Sequence, residues 1–379
     1  MTRNYGIPVL VILIVNCLCI TGVVAIPVIV VYGDAASALA ATQSPGNNAE
    51  LIDPDIFAVA MDISEAEIKT LHADNTVRYV ENDATVSAGP PDFPVSELSL
   101  RSEPPAEKTP WNIRQIHADE TRVLNIDGKG VRVAVLDSGI DYTHPDLKGV
   151  YAGGYNYVAS TADPLDDYAH GTHCAGILAA AGRGEGIFGT APNVSLYAVK
   201  VLNARGDGNV SDIIKGIYWA QKNRMKIVSM SFGSQKDSAV LHEAIDNAAA
   251  HGVLFIAASG NRGSLRFVDY PANYSSVLSV GSVNRDNQHS LFSNAGKVDV
   301  SAPGEEILST IPGGSYKILK GTSMATPHVA GVAALIFSIH PDWSPEQVKY
   351  RIINTATNLG PADTYGAGLV NAANATRAG

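Results

Sequence analysis

The run Gly321-Thr-Ser-Met-Ala-Thr-Pro-His-Val-Ala-Gly331 passes directly into Val332-Ala-Ala-Leu-Ile-Phe-Ser338, and no other stretch restricts the fold as strongly. From Val329 to Ile339 the residues are apolar on almost every side, which predicts a helix inside the protein rather than on its surface. Small residues around Ser323 allow a sharp turn, and Pro327 suits a first helical turn, where a missing N–H costs little. Ser323 is therefore expected near the N-terminus of a buried helix, as a structural cap or as a nucleophile.

Such a helix needs a large core around it. The 379 residues are 46% hydrophobic and 17% charged, enough for one large core with a small second domain and too apolar for a disordered chain. The formal net charge of −10, without a basic stripe, argues against a nucleic-acid-binding surface.

Ile7 to Val31 is nearly continuous apolar sequence after a start that contains Arg3. Residues 1–25 read as a signal peptide cleaved after Val23-Val24-Ala25, which predicts a secreted, extracellular protein. Left uncleaved, the run is long enough to anchor the chain in a membrane. Cys17 and Cys19 fall in this segment, so the processed chain has Cys174 alone and no internal disulfide. Stability must then come from the core or from ions.

Residues 26–88 read as a small α+β unit. Pro27–Tyr32, Ile56–Met61 and Val77–Asp83 are strand-like, and Ser64 to His72 is a capped helix with Ser64 as N-cap and Glu67 three residues on. Residues 89–109, rich in Pro, Ser and Glu, form a linker. Residues 110–379 then alternate apolar strands (Val131–Leu136, Val194–Val201, Ile227–Met230, Val253–Ala257, Val277–Val280) with helices near His173–Ala181, Ser211–Asn223 and Ala239–His251. That order predicts an α/β fold, a mainly parallel sheet with helices on both faces.

Chemistry-bearing residues recur at the ends of these strands. Asp137 closes Val133-Ala-Val-Leu, at the C-terminal edge where open α/β sheets carry their sites. His170 begins His170-Gly-Thr-His-Cys-Ala-Gly176, and Asn261 follows Ala257-Ala-Ser-Gly. Each alone is ordinary: an Asp in a turn, a structural histidine, a polar loop. The His170/His173 spacing has no third ligand to make a metal site. Together, Asp, His, Asn and Ser supply an orienting carboxylate, a base, an oxyanion donor and a nucleophile, the inventory for acyl transfer through a tetrahedral intermediate.

Asp137-Ser-Gly, His170-Gly-Thr-His-Cys-Ala-Gly176 and Gly321–Gly331, in that order, resemble the three motif blocks of the subtilisin-like serine proteases. The resemblance spans roughly residues 109–375. It implies a secreted serine endopeptidase acting through Asp137, His170 and Ser323 by way of an acyl-enzyme, with Asn261 in the oxyanion hole and no cofactor needed for the chemistry. Residues 26–88 resemble the family's inhibitory propeptide, which implies a self-processed zymogen whose partners are protein or peptide substrates and its own prosegment. By the same match, Ser231-Phe232-Gly233 and Ala258-Ser259-Gly260 would form two walls that pair with the substrate backbone, while Phe232, Val210 and Ile213 would line an apolar pocket for the fourth residue before the cut.

Asp269, counted back from Tyr270-Pro271, matches the floor of the primary pocket and favours Lys or Arg in the substrate. The connection from Asn261 to Tyr270 is shorter than in familiar members, and Arg262 or Arg266 is near enough in sequence to neutralise Asp269. A mixed or basic preference is expected, with broad degradation and proprotein processing both open. Glu107 and Asp146 match two oxygen-ligand positions of a structural calcium site, yet Arg183 stands where the family commonly has an Asn. Cys174 is expected to pack beneath the histidine as a small hydrophobe.

Other signals carry less. Gly184-Glu-Gly-Ile-Phe-Gly189 fits a dinucleotide-binding pattern but lies between a helix and Thr190-Ala-Pro192, the wrong context. Arg205-Gly-Asp207 is read as chance, and Asn193, Asn209, Asn273 and Asn374 permit glycosylation on export. A catalytically inactive binding scaffold is disfavoured because all four chemical positions are intact. An esterase would hold its serine in Gly-x-Ser-x-Gly and place its histidine last, whereas here the serine comes last.

Overall fold

A computed structural model describes residues 25–44, 46–89 and 108–377. The expected signal peptide apart from Ala25, most of the linker and Glu107 lie outside the described residues.

The N-terminal unit comprises β1 (Ile26–Tyr32), α1 (Ala35–Thr42), β2 (Glu50–Asp53), β3 (Ala58–Ile63), α2 (Glu65–Leu71) and β4 (Val77–Asn82). Its antiparallel sheet has the order β2-β3-β1-β4. Ser64 caps α2 in a complete capping box with Glu67, as the sequence predicts. Strand alternation gives the sheet two apolar faces. Val28, Val30 and Tyr32 pack with Ala38, Ile68 and Leu71 on one side, whereas Ile29 and Val31 join the core of the larger domain on the other.

The larger domain follows a short strand, β5 (Thr85–Ser87), and continues with α3 (Trp111–Gln115), α4 (Ala118–Val123), β6 (Arg132–Asp137), β7 (Tyr151–Asn156), α5 (His170–Ala179), β8 (Ser195–Lys200), β9 (Asp207–Asn209), α6 (Val210–Lys222), β10 (Ile227–Met230) and α7 (Ala239–Ala250). It ends with β11 (Leu254–Ala258), β12 (Val277–Val283), β13 (Val300–Pro303), the hairpin β14 (Ile307–Ile311) and β15 (Ser315–Leu319), α8 (Thr322–Ile339), α9 (Pro345–Thr355), α10 (Ala362–Tyr365) and α11 (Ala372–Thr376).

Seven parallel strands in the order β13-β12-β11-β10-β6-β8-β7 form the main sheet, and alternate residues of each inner strand feed opposite cores. On β6, Val133 and Val135 face α5 and α8, while Ala134 and Leu136 face α6 and α7; Leu254 and Ile256 divide from Phe255 and Ala257 in the same way on β11. Helices therefore cover both faces, as expected for a parallel sheet. Strand order reverses at β6, which lies between β8 and β10, so the crevice outside its C-terminal end is the topological switch point. Asp137 is the last residue of β6.

Several elements have no local signature. Tyr151-Ala-Gly-Gly-Tyr-Asn156 lacks the β-branched residues of a strand, but β7 lies so close to β8 that a Cβ at Gly154 would stand 1.9 Å from the Ala198 carbonyl oxygen. Pro327 corrects an expectation from the sequence. α8 begins at Thr322, so Pro327 is its sixth residue, beyond the first turn. Its missing N–H leaves the Ser323 carbonyl without a helical partner. That carbonyl instead accepts from Ser231 Oγ at 2.9 Å and Cys174 Sγ at 3.4 Å, which fastens the start of α8 to β10 and α5. Among the described residues α8 is also the one helix long and apolar enough to cross a membrane, and its burial makes it a core helix.

The two units meet along α6 and α7. Asp83 accepts from Ser211 N–H at 2.9 Å and Ser211 Oγ at 2.6 Å, over the first turn of α6, whose own Asn209 makes no side-chain cap. Glu81 does the same at α7, accepting from Ser238 Oγ at 2.9 Å and Ala239 N–H at 2.8 Å. A carboxylate at a helix N-terminus satisfies orphan N–H groups and complements the dipole. Arg78 and Tyr79 both reach Glu243, at 2.7 Å each.

Candidate active site

Asp137, His170, Asn261 and Ser323 converge at the switch point from β6, α5, the loop after β11 and the start of α8. His170 Nδ1 donates to both Asp137 carboxylate oxygens, at 2.8 and 2.9 Å, which fixes the tautomer because a carboxylate only accepts. Asp137 is fully buried, and Ser138 N–H donates to its Oδ1 at 2.7 Å. The loop after it is held by Asp166, which accepts from Ser138 Oγ at 2.8 Å, and by the buried Lys200 ammonium on the Ser138 carbonyl at 2.6 Å. Gly171 permits this closeness: a Cβ there would lie 2.1 Å from the Gly139 carbonyl oxygen.

Burial opposes a charge on His170, but the Asp137 carboxylate outweighs it and holds the imidazole well above its ordinary range. Cys174 lies 4.0 Å from His170 Nδ1, and burial pushes its thiol up, so a neutral sulfur packs beneath the ring. His173 and His328 take the opposite course: burial lowers them to about 3 and about 4, and they are neutral structural groups. His328 donates to the Met324 carbonyl at 2.8 Å and accepts from Asn112 at 2.7 Å.

Asn261 is oriented by Thr322, whose N–H and Oγ1 both donate to its Oδ1 at 2.8 Å. That leaves the Nδ2 amide to the cleft. The Ser323 hydroxyl donates to the Ser231 carbonyl at 2.9 Å, while His170 Nε2 is buried without a partner among the described residues. Thr322, Asp166 and Lys200 were not legible as site residues, since nothing in their local sequence marks a partner so far along the chain.

The cleft already holds a strand. Residues 85–87 pair antiparallel with 207–209, Ser87 and Gly233 exchange N–H···O bonds at 3.3 and 3.1 Å, and Ala88 N–H donates to Gly206 O at 2.9 Å. Gly89 carries this tail beside Ser323, and its carbonyl accepts from Tyr168 Oη at 2.7 Å. Of the wall residues named from the sequence, Phe232, Gly233, Ala258 and Gly260 line the cavity, with Asp269 behind them. Ser231 and Ser259 are buried, their hydroxyls turned to the carbonyls of Ser323 and Asn294. Val210, Ile213 and Phe232 bury Val86, the fourth residue counting back from and including Gly89.

Among the described residues, the donor set at Asp146 does not fit a calcium ion. Its oxygens accept from Arg183 N–H at 3.0 Å, Ile187 N–H at 2.9 Å and Tyr316 Oη at 2.9 Å, and the Lys108 ammonium donates to the Gly184 carbonyl of the same loop. Calcium needs six to eight oxygens, whereas both Asp146 oxygens are already taken by N–H and hydroxyl donors. Adding a chelator is accordingly expected to leave the melting temperature unchanged. A fall of more than about 4 °C, the size produced by losing ~1–2 kcal/mol of ion binding, would overturn this.

The described subtilase family matches residues 128–368. The chain belongs to that family: it is a subtilisin-like serine protease, a serine endopeptidase. M-protease of Shouchella clausii (strain KSM-K16) is 42% identical over 323 residues, 85% of this chain and 80% of the relative. Subtilisin E of Bacillus subtilis (strain 168) is 44% identical over 321 residues, 83% and 80% of the two chains. Subtilisin Savinase of Lederbergia lenta is 46% identical over 273 residues, 72% of this chain and all of the relative.

Proposed function

We propose that this endopeptidase is exported as a zymogen, with residues 1–25 as signal peptide, 26–88 as an inhibitory prosegment, 89–109 as the linker that is cut and 110–379 as the catalytic domain. Ser323 Oγ attacks the scissile carbonyl as His170 Nε2 takes its proton. Asn261 Nδ2 and the Ser323 backbone N–H hold the oxyanion, and His170 returns the proton to the leaving amine, which forms the acyl-enzyme. Water, activated by the same imidazole, then releases the acid product. Asp137 keeps the tautomer and stabilises the imidazolium.

The observation that carries this reading is the chain's own tail, lying as an added strand between Gly206 and Gly233 with Val86 in an apolar pocket and Gly89 beside Ser323. The match to M-protease, 85% of the chain, also exceeds residues 110–379 and so takes in part of the N-terminal unit. With the tail in place the Ser323 hydroxyl rests on Ser231 O, and among the described residues His170 Nε2 is left without a partner to receive its proton. Export is supported by the apolar sequence before Ile26, where β1 begins. The membrane-anchored form is the alternative if that segment is retained.

Intact mass of the exported chain tests the zymogen. Wild type is expected to lose its N-terminal unit at one site within 89–109, while Ser323→Ala stays joined. Equal cutting of both would mean that another protease does the processing. A second test addresses the prosegment as inhibitor. Asp83→Ala removes two charge-assisted hydrogen bonds to α6 and is expected to raise the inhibition constant of the cut prosegment roughly 10- to 100-fold. Activity measured across a dilution series gives that constant, and no change would remove Asp83 from the inhibitory contact.

A further inference from the structure

Beside Ser323 the tail leaves a cavity of about 200 Å³. Gly89 reaches it without a side chain, so a substrate laid on the same two walls would send the side chain of the corresponding residue into it. The cavity is lined by Ala258, Gly260 and Asn261, and at its end stand Arg262 and Asp269.

Asp269 is admitted there by glycine. A Cβ at Gly260 would lie 2.4 Å from Asp269 Oδ2, and one at Gly233 would lie 3.0 Å from Asp269 Cβ. The Asp269 side chain is only 5% exposed, and its Oδ1 accepts from Asn294 Nδ2 at 3.3 Å and from the Arg262 guanidinium. The Arg262 side chain is 45% exposed, and its guanidinium has Asp269 as its hydrogen-bonding partner among the described residues. The carboxylate is thus fixed in the wall, whereas the cation hangs on a long stem from a solvent-facing loop. Arg266, the other cation considered from sequence, makes no contact with it among the described residues.

We propose that Arg262 is a displaceable internal occupant of the specificity pocket: it neutralises Asp269 and so keeps the pocket open to uncharged side chains, while a substrate Lys or Arg must compete with it for the same carboxylate. This rests on Ser323 being the nucleophile of the cleft. With the pair closed, the pocket is electrically near neutral, and preference between Phe and Lys substrates is shallow. With Arg262 removed, Asp269 is a nearly buried charge without a cation, and a basic substrate side chain supplies one. With Asp269 neutralised, Arg262 is left without a carboxylate, and a substrate Glu supplies it.

The test compares kcat/KM for peptides identical except for Phe, Lys or Glu immediately before the cut. Arg262→Gln and Arg262→Ala are expected to raise the Lys-to-Phe ratio of kcat/KM roughly 10- to 100-fold. Asp269→Asn is expected to raise the Glu-to-Phe ratio, and Arg262→Gln with Asp269→Asn to return both ratios near wild type. A Lys-to-Phe ratio within about twofold of wild type in both Arg262 variants would overturn the proposal. Should Asp269→Asn fail to fold, the two Arg262 variants decide alone. Failure of the wild type to cleave any of the three would instead count against the Ser323 reading.

Discussion

Replacing Ser323 by alanine is expected to lower kcat by on the order of 10⁶, the loss recorded for a subtilisin stripped of its serine. Ser323 is 4% exposed at the start of a helix whose other residues are almost all buried, so deleting one oxygen leaves the packing intact. Its hydrogen bond to Ser231 O is lost, a cost of about 1 kcal/mol that leaves the domain folded. Turnover measured alongside melting temperature separates the two effects. A variant that melts normally and still hydrolyses peptide at a tenth of the wild-type rate would remove Ser323 from the nucleophile's role.

Asp137→Asn is expected to cost about 10⁴ in kcat, since an amide no longer fixes the Nδ1–H tautomer or stabilises an imidazolium. The pH profile should move as well. In the wild type the Asp137 charge outweighs burial and holds His170 well above its ordinary range. The neutral base therefore accumulates only at higher pH, and kcat/KM rises on a limb above the ordinary imidazole value of about 6.5. Without that charge burial dominates, and the limb moves to lower pH. The same limb in both proteins would mean that another group titrates there.

The candidate residues could be picked out of the sequence because each sits in a pattern with its own local cause. Asp137 ends an apolar strand, His170 opens a small-residue helix, and Ser323 begins an all-apolar one. Glu67 three residues after Ser64 announced α2 in the same way. β7 and the β14–β15 hairpin were not read. Their strands are made by pairing partners, as at Gly154, where proximity to Ala198 rather than β propensity dictates the residue.

Position in the cleft was less readable than identity. Ser231 and Ser259 lie in the wall segments but turn away from the cavity, because alternation along an extended chain sends neighbouring side chains to opposite sides. Pro327 was read as an innocuous first-turn residue, and its effect appears only when the freed Ser323 carbonyl finds Ser231 and Cys174.

By itself, the sequence determined the strand and helix periods, the residue types for acyl transfer and their placement at strand ends, since backbone sterics and burial act over a few neighbours. Tertiary structure decided the partners. It brought Asp83 to α6 across 128 residues, turned Thr322 onto Asn261, chose Arg262 over Arg266 for Asp269, and surrounded Asp146 with N–H and hydroxyl donors. These contacts follow from strand order and from which loops meet at the switch point, and no local pattern encodes a distance between two groups until the sheet has brought them together.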